Sequence, residues 1–382
     1  MMEDYFANDN SLFGANQNTG ELSELKNSTL NRETLDSARF FNNKKILITG
    51  GTGTIGRALV KELLLNHNPA VIRIFDLDET RHFEFEHELT FLNPLFAKKT
   101  RFLLGDVKDS HRVDLAMQDI DIVFHLAALK HVKGCEYNPF EAVKTNIIGT
   151  QNIIDAAIKH NIQKLIYTSS DKAVYPYNTM GATKLVAERL VTSANYYRGS
   201  RRTIFSSVRF GNVMGSRGSV IPLFKNQIKN GGPVTITHPD MKRFTMSCKD
   251  AVNLIIKCAQ TSQGGEVFIL KMPVIKILDL AELLITELAP RYGRNSNSIR
   301  VDNIGLKEGE TMDEELITDN EAARALEIED MFIVPPFAFD FNISLNYPDA
   351  KQILNRTYNS KQIQHISKDE LKNLLMHTGV LE

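Results

Sequence analysis

The feature that most constrains this chain is a glycine-rich loop between a strand pattern and a helix pattern. The run Lys44–Thr49 is apolar after two lysines and predicts a buried strand. It leads directly into Gly50, Gly53 and Gly56, after which apolar residues recur at helical spacing. Glycines in such a loop permit a tight turn and let backbone N–H groups approach a pyrophosphate at the helix N-terminus. The sequence therefore predicts a dinucleotide-binding site in the first βα unit.

Strand and helix patterns alternate after this loop. The predicted strands are Val71–Asp76, Arg101–Asp106, Ile120–His125, Leu165–Ser169 and Phe205–Phe210. The predicted helices are Arg57–Leu65, Phe83–Phe91, Ala142–His160 and Ala182–Tyr197. Alternation of this kind places helices on both faces of a parallel sheet. The predicted fold class is therefore α/β, a Rossmann-type doubly wound parallel sheet with a smaller α/β substrate-binding lobe.

The pattern divides the chain into three parts. Residues 1–40 are rich in Asn, Ser, Thr and Glu and are expected to form a mobile N-terminal extension outside the core. Residues 41–212 predict the dinucleotide-binding domain. Residues 213–382 predict the substrate-binding lobe and C-terminal region, with the patterns inside 250–272 returning to the main sheet.

Composition narrows the possible partners and setting. The 45 basic and 46 acidic residues give a net charge of −1, so there is no basic excess that would indicate binding to nucleic acid. Three widely spaced cysteines fit neither a disulfide framework nor a metal cluster, so a reduced, cytoplasmic protein without a metal is expected. No apolar run approaches the roughly 18 residues of a membrane span, and no secretory signal pattern opens the chain. Membrane insertion is therefore not expected.

An acidic residue ends the second predicted strand. Asp76 can accept hydrogen bonds from an adenosine ribose and would repel a 2′-phosphate, which favours NAD. Arg73 and Arg81 lie nearby in the sequence, so NADP stays open. Asp106 could meet the adenine or serve only as a turn residue, and small alanines follow the fourth strand. The predicted cofactor contacts from this part of the chain are Gly50, Thr52, Gly53, Thr54, Ile55, Gly56, Asp76, Asp106, Val107, Ala127 and Ala128.

Reactive side chains gather after the fifth predicted strand. Ser170, Asp171 and Lys172 follow it directly, and Lys184 comes one helical turn after Met180. Burial can raise the pKa of a carboxyl and lower the pKa of a lysine. An acid–base site at Asp171 and Lys172 is therefore physically plausible here.

Several strings of residues follow one another in an order shared with a known family. Beyond Thr49–Gly56 they are Ala127–Val132, Glu136–Pro139, Lys144–Thr150, Ser170–Ala173, Gly181–Lys184, Val208–Val213 and Met241–Phe244. From about Lys44 to the C-terminal region the chain resembles an extended short-chain dehydrogenase/reductase. Within that group it is similar to the polysaccharide-biosynthesis branch of nucleotide-sugar 4,6-dehydratases, typified by UDP-N-acetylglucosamine 4,6-dehydratases.

The resemblance implies a reaction that is redox-neutral overall. Hydride passes from sugar carbon 4 to a nicotinamide, the proton on carbon 5 and the 6-hydroxyl are lost, and the same hydride returns to carbon 6. The cofactor is recycled in place, so tightly bound NAD is expected, with NADP as the alternative. Asp171 is then expected to be the acid and Lys172 the base. Lys184 is expected to contact the nicotinamide ribose.

Met180 occupies the position where the wider family carries a catalytic tyrosine. A thioether cannot relay a proton. The relay at the carbon 4 oxygen therefore shifts to Ser170, Lys184, Lys172 or a bound water, and the configuration produced at carbon 5 stays open. Some members of the branch resemble this chain in carrying Met at this position.

Substrate contacts follow from the same resemblance. A nucleotide-sugar substrate is expected, and the family commonly forms homo-oligomers. The segment Gly305–Met312 resembles a substrate-lobe motif but has Lys, Glu and Thr where the branch often has Arg, Pro and Lys. The predicted substrate contacts are Lys130, Asn212, Arg217, Arg243 and Glu310.

Two other functions are compatible with the nucleotide loop. A nucleotide-sugar epimerase or reductase usually keeps the tyrosine for carbon 4 chemistry, so Met180 beside Asp171 and Lys172 favours elimination. A non-catalytic NAD-binding protein is supported only by the missing tyrosine. Retention of Ser170 and Lys184 with the acid–base pair argues against it.

Overall fold

The computed structural model describes residues 39–337, 345–353 and 358–381. In chain order the strands are β1 Lys45–Thr49, β2 Val71–Asp76, β3 Thr100–Leu104, β4 Ile122–His125, β5 Lys164–Thr168, β6 Ile204–Arg209, β7 Asn212–Val213, β8 Val234–Ile236, β9 Lys242–Met246, β10 Val267–Leu270, β11 Val274–Lys276, β12 Val301–Asn303, β13 Glu315–Ile317, β14 Leu326–Ile328, β15 Met331–Val334, β16 Lys351–Gln352 and β17 Tyr358–Asn359. The predicted N-terminal extension, residues 1–40, lies outside the described residues apart from its last two positions.

The α-helices lie mostly between these strands. They are α1 Thr54–Asn66, α2 Glu79–Leu92, α3 Pro94–Lys99, α4 Ser110–Met117, α5 Val132–Tyr137, α6 Pro139–Ala142, α7 Gly149–Lys159, α8 Thr179–Tyr197, α9 Val220–Lys229, α10 Cys248–Thr261, α11 Ile277–Leu288, α12 Asp319–Ala322 and α13 Lys368–His377. In the described ranges, no helix is both long and apolar enough to cross a membrane.

Ten strands form the main sheet in the order β16-β14-β15-β10-β6-β5-β4-β1-β2-β3. The part from β10 to β3 is parallel, and β15, β14 and β16 extend it with antiparallel pairing. From β1 the chain adds β2 and β3 on one side of the sheet and then β4, β5 and β6 on the other side. This reversal between β1 and β4 creates a crevice at the carboxyl ends of these two strands. The predicted Rossmann-type parallel sheet is confirmed.

The central strands are apolar on both sides because helices cover both faces of the sheet. On β1, Leu47 packs with Val123 and Leu165 in one core, whereas Ile46 and Ile48 face a second core. Helices α1 and α10 pack together, and α4, α7 and α8 form another packed group. Burial of the strands on both faces fixes which ends of β1, β4 and β5 meet at the crevice.

One predicted helix is interrupted. In place of a continuous helix over Ala142–His160, the chain forms α6, a π-helix at Val143–Ile148, and then α7. A Cβ at Gly149 would lie 2.7 Å from the Val107 side chain, so the helix and the end of β3 approach closely. Single π-turns of this kind often occur at functional sites. The 3.6-residue pattern cannot reveal such a change in helical pitch.

The lobe has its own apolar core and three small sheets. Helices α9, α11 and α13 supply buried residues that include Phe224, Leu284 and Leu375. The small sheets are β11-β9-β7, β12-β8 and β13-β17. Residues 213–382, predicted to hold the substrate-binding lobe and C-terminal region, also supply strands to the main sheet beyond 250–272. Strands β14, β15 and β16 extend the main sheet, because the apolar run Met331–Val334 pairs with the edge of β10.

A buried ionic cluster ties the C-terminal part to this sheet. Arg209, at the end of β6, has a side chain that is 1% exposed and bonds Glu188 of α8 and Glu321 of α12. Its guanidinium also donates to the carbonyl of Leu316 at 2.7 Å. Burial alone would raise the pKa of Glu321, but the charge of Arg209 outweighs it and lowers that pKa to about 2. The cluster therefore depends on an ionised Glu321.

We predict that Arg209→Met destabilises the protein by about 3–5 kcal/mol at pH 7, since it leaves two buried carboxylates without their cation. Because the folded-state pKa of Glu321 is depressed, this contribution is present above the unfolded pKa of about 4.3 and is lost as pH falls through about 2. Urea unfolding at several pH values measures both effects. Arg201→Met, at an exposed position, is the control, and an equal loss in both variants would contradict the assignment.

Candidate active site

The glycine loop packs so closely against neighbouring backbone that no side chain would fit at Gly50 or Gly56. Gly50 has φ +66°, and a Cβ there would lie 2.7 Å from the backbone nitrogen of Ala127. A Cβ at Gly56 would lie 2.5 Å from the Gly50 carbonyl oxygen. Gly53 is the N-cap of α1 and provides no side-chain acceptor for the first-turn N–H groups. The loop and the helix start therefore fit a pyrophosphate.

Asp76 is fixed at the carboxyl end of β2. Its carboxylate accepts hydrogen bonds from the Thr52 hydroxyl at 2.6 Å, the Thr52 N–H at 3.1 Å and the Leu77 N–H at 2.8 Å. Arg73 instead donates to the carbonyls of Ala116 and Gln118, and Arg81 pairs with Asp78. The carboxylate is thus in the place expected for a ribose contact, and both arginines are engaged elsewhere.

Two predicted cofactor residues have other contacts in the structure. Asp106 accepts a hydrogen bond from the Lys108 N–H at 2.9 Å, which is the turn role that the sequence left open. Val107 is 5% exposed and packs against Gly149, while its carbonyl accepts a hydrogen bond from Asn152. The Val107 side chain thus packs against the start of α7, and a contact between Val107 and the cofactor stays a prediction.

The acid–base residues lie on an irregular turn after β5. Asp171–Ala173 is a short 3₁₀ helix, and Ser170 caps it by accepting the Lys172 N–H. The Ser170 hydroxyl donates to Asp171 at 2.6 Å, and the Lys172 ammonium lies 2.8 Å from the other oxygen of Asp171. The tight turn brings these consecutive side chains together at the carboxyl edge of the sheet.

Glu314 completes this cluster, and sequence analysis missed it. It precedes β13, and its side chain is 4% exposed. It lies 3.4 Å from the Lys172 ammonium and 3.3 Å from Arg243, and it accepts hydrogen bonds from Asn212 and the Phe244 N–H. The only signal in the sequence is an acidic run after Met312, a pattern that usually indicates a solvated surface.

The pKa values of Asp171 and Lys172 shift in the directions opposite to those that burial alone would produce. Burial would lower the pKa of Lys172, but the charges of Asp171 and Glu314 outweigh it and raise that pKa. Burial would likewise raise the pKa of Asp171, but the charge and hydrogen bond of Lys172 lower it. The raised carboxyl pKa belongs to Glu314, chiefly through burial and then through the charge of Asp171. Pairing between neighbours overrides desolvation here.

Lys184 lies in a more apolar environment than Lys172. Its ammonium donates to the Thr168 carbonyl at 2.7 Å and lies 4.8 Å from the centre of the Tyr167 ring. Met180 packs with Cys135 in a small buried cluster on the same helix turn. Burial lowers the pKa of Lys184 to about 8. The sulfur-bearing side chain thus fills the tyrosine position with apolar contacts.

Asn146 organises the chain that follows β4. Its amide pairs with both backbone groups of Leu129, at 2.8 and 3.0 Å, and donates to Thr183 of α8 at 2.9 Å. The π-helix directs this side chain across the end of the sheet. The segment with Ala127 and Ala128 is therefore held against the glycine loop and beside the helix that carries Lys184.

The cluster opens on a cavity of about 980 Å³ between the sheet edge and the lobe. Its size is within the range of ligand pockets. Asp171, Lys172 and Glu314 line it together with the predicted substrate residues Asn212, Arg243 and Glu310. About 32% of the Lys172 side chain is exposed, against 3% for Asp171 and 4% for Glu314, so Lys172 is the most accessible of these three residues.

The predicted substrate residues fall into two groups. Asn212 donates to Glu314, and Arg243 donates to carbonyls of Lys242, Thr311 and Met312 and pairs with Glu310. These residues hold the 305–314 segment against the cavity. Lys130 and Arg217 lie outside the cavity lining and contact each other, since the Lys130 ammonium donates to the Arg217 carbonyl at 2.8 Å. The Arg217 N–H lies 3.4 Å from the Thr54 hydroxyl, beside the nucleotide loop.

The fold and this site define an extended short-chain dehydrogenase/reductase of the kind that modifies nucleotide sugars. Residues 46–336 match a family model described as polysaccharide biosynthesis protein, and the chain belongs to that family. This confirms the resemblance found in the sequence.

Several known proteins are similar over most of their length. A Methanocaldococcus jannaschii protein named as an uncharacterized membrane protein is 51% identical over 91% of this chain and 99% of its own. A Campylobacter jejuni UDP-N-acetylglucosamine 4,6-dehydratase (inverting) is 38% identical over 88% and 99%. A Rickettsia canadensis protein named UDP-glucose 4-epimerase is 38% identical over 88% and 96%. The crystal structure of Pen from Bacillus thuringiensis has 49% identity and a TM-score of 0.81, covering 88% and 98%.

Asp76→Ala is expected to weaken NAD binding by about ten- to a hundredfold, the effect of losing hydrogen bonds to a charged group. Because the same carboxylate repels a 2′-phosphate, NADP binding should fall less, and the preference for NAD should narrow. Titrating both cofactors into cofactor-free protein gives the ratio. The exposed neighbour Glu79→Ala is the matched control. An unchanged NAD to NADP ratio in Asp76→Ala would place the ribose elsewhere.

Lys184→Met should stabilise the cofactor-free protein by about 1–2 kcal/mol at pH 7, since it removes a charge from an apolar site. The folded pKa of about 8 is below the unfolded value of about 10.4. The unfolded chain therefore binds more protons between these values, and stability of the unchanged protein rises with pH across that window. Denaturant melts from pH 7 to 11 test this, and a rise that persists in Lys184→Met would refute it.

Proposed function

We propose that the protein is a nucleotide-sugar 4,6-dehydratase that converts UDP-N-acetylglucosamine into a 4-keto-6-deoxy sugar nucleotide for glycan or polysaccharide synthesis. The observation that carries this proposal is the cluster of Ser170, Asp171, Lys172 and Glu314, of which the last three line a ligand-sized cavity. Elimination of water needs both a proton acceptor and a proton donor beside one sugar. The Campylobacter jejuni relative, which is named UDP-N-acetylglucosamine 4,6-dehydratase (inverting), supports the choice of UDP-N-acetylglucosamine as substrate.

The cluster can produce an acid and a base in one proton transfer. Lys172 is held as an ammonium, so it must lose its proton before it can accept the one on carbon 5. Asp171 is the nearest acceptor, at 2.8 Å. Transfer of that proton leaves a neutral amine facing the cavity and a carboxylic acid beside it. The amine then takes the carbon 5 proton, and the acid protonates the departing 6-hydroxyl.

The residues around the crevice fit NAD as the resident cofactor. When bound, NAD supplies the acceptor for the hydride of sugar carbon 4 and the donor that returns it to carbon 6. The lack of side chains at Gly50 and Gly56 supports a pyrophosphate there, and we expect Asp76 at the end of β2 to accept hydrogen bonds from its ribose. We expect Lys184, whose buried amine donates to the Thr168 carbonyl at the end of β5, to hold the nicotinamide ribose.

A second candidate, UDP-glucose 4-epimerase activity, is favoured by the name of the Rickettsia relative. An epimerase needs a proton relay at the carbon 4 oxygen but no acid for a leaving hydroxyl. Met180 cannot relay a proton, and the turn after β5 is rich in groups that elimination requires. The dehydratase is therefore the better match to these residues.

The test is to incubate the purified protein, with no added cofactor, with UDP-N-acetylglucosamine in deuterated water and follow the sugar by NMR. We expect a 6-deoxy-4-keto product with deuterium at carbon 5, whose couplings report the configuration there. Product formation without added cofactor would also support tight binding. Epimerisation of UDP-glucose in a parallel sample, with UDP-N-acetylglucosamine unchanged, would favour the epimerase and contradict the proposal.

Lys172→Ala links the activity to the cluster. It should lower the rate by at least about a hundredfold, the usual contribution of a general base, and leave the bound cofactor in place. Cofactor content measured after denaturation separates loss of chemistry from loss of the site. Full activity in Lys172→Ala would show that another group removes the carbon 5 proton.

A further inference from the structure

A short segment of the lobe, between β7 and α9, reaches across to the nucleotide crevice. It runs from Met214 to Ser219, and we call it the strap. At its start the Met214 N–H donates to the carbonyl of Met246 at the end of β9, at 2.9 Å, and at its other end Ser219 is the N-cap of α9. Both ends of the strap are therefore fixed by elements of the lobe.

The middle of the strap contacts both sides of the crevice. On the β4 side, the Lys130 ammonium donates to the Arg217 carbonyl at 2.8 Å, and a Cβ at Gly218 would lie 2.6 Å from the His131 ring. On the β1 side, the Arg217 N–H lies 3.4 Å from the hydroxyl of Thr54, the first residue of α1. Because β1 and β4 flank the crevice, a segment that contacts the chain beyond both strands crosses its opening.

Glycine makes this close crossing possible. Gly215 and Gly218 have φ angles of +68° and +75°, a region that residues with a side chain rarely adopt. The contact with His131 leaves no room for a side chain at Gly218 in any case. The backbone of the strap can therefore turn tightly enough to reach from the β4 side to the start of α1.

Arg217 brings a positive charge to this place. Both of its hydrogen bonds use the backbone, and within the described ranges its exposed guanidinium forms no salt bridge. Gly218 and Ser219 line the large cavity, whereas Arg217 does not. A guanidinium stays charged and binds phosphate oxygens well. Its position beside Thr54 therefore fits the pyrophosphate at the glycine loop better than a group bound in the cavity.

We propose that the strap retains the dinucleotide cofactor, with the Arg217 guanidinium binding its pyrophosphate beside the start of α1. This assignment rests on the proposed NAD cofactor, and it moves Arg217 from the expected substrate contacts to the cofactor. The proposed reaction returns its hydride to the sugar and needs no exchange of cofactor between turnovers. Slow release of the cofactor therefore does not limit the rate.

The rate of cofactor release tests this role directly. Protein loaded with NADH or NADPH, whichever the unchanged protein binds, is mixed with excess oxidised cofactor, and the loss of bound nicotinamide fluorescence is followed. Arg217→Met should release the cofactor about ten- to a hundredfold faster, the effect of losing a hydrogen bond between charged groups. Arg201→Met is the matched control, because this exposed arginine precedes β6 at the opposite edge of the sheet. It should release the cofactor at the rate of the unchanged protein.

Gly218→Ala tests the path of the strap without removing a charge. The added methyl group must displace the strap or His131, so release should again be faster. Gly199→Ala is the control, because Gly199 has a similar φ of +62° and nothing beyond its chain neighbours within 4 Å of an added Cβ. Release from Gly218→Ala that is no faster than from Gly199→Ala would overturn the strap.

Calorimetric titration with UDP separates the cofactor from the substrate as the ligand of Arg217. We expect UDP to bind Arg217→Met and the unchanged protein equally well. Weaker UDP binding with unchanged cofactor release would return Arg217 to the substrate and overturn the proposal, as would no change in either. If the unchanged protein binds neither NADH nor NADPH, the proposed cofactor falls as well. If it binds one of them and every variant releases it at the same rate, the strap falls alone.

Discussion

Lys172 lies between two buried carboxyls, and this contact joins parts of the chain that must meet for the site to exist. Asp171 belongs to the turn after β5, whereas Glu314 comes from a segment 142 residues beyond Lys172. Carboxylates removed from water are tolerated only when a cation or proton compensates them. The acid–base site is therefore complete only when the segment before β13 has folded onto the carboxyl edge of the sheet.

Arg209 uses the same arrangement one strand further along the sheet, with a different result. Both cations link the sheet edge to the C-terminal segment, Arg209 through Glu321 and Lys172 through Glu314. A guanidinium stays protonated, so the Arg209 cluster can only hold the segment in place. An ammonium can give up its proton to a neighbouring carboxyl. The Arg209 cluster thus serves as the fixed support, which leaves the Lys172 cluster free to change its protonation during chemistry.

The sheet and the nucleotide loop could be predicted because both depend on local patterns. An apolar run such as β1 predicts a strand from its own residues, and the glycine spacing likewise predicts the nucleotide loop. Asp171 and Lys172 could be placed because they directly follow β5, whose end was recognisable in the sequence. Glu314 could not be predicted, since its role depends on a contact across the cavity rather than on its neighbours in sequence. The pKa directions of Asp171 and Lys172 could not be predicted for the same reason: an apolar context indicates desolvation, but it does not reveal the charged partner that outweighs it.

Met180 connects these features to the choice of reaction. In the position of a proton-relaying tyrosine it packs in an apolar cluster with Cys135, on the same helix as Lys184, whose pKa burial lowers to about 8. A lysine in that range can exchange a proton near neutral pH, whereas Lys172 is held charged until a carboxyl accepts its proton. Under the proposed dehydratase function, the two lysines would divide the work by environment, Lys184 on the carbon 4 side and Lys172 at carbon 5. An enzyme that only oxidised and reduced carbon 4 would have no use for the second, carboxyl-flanked lysine.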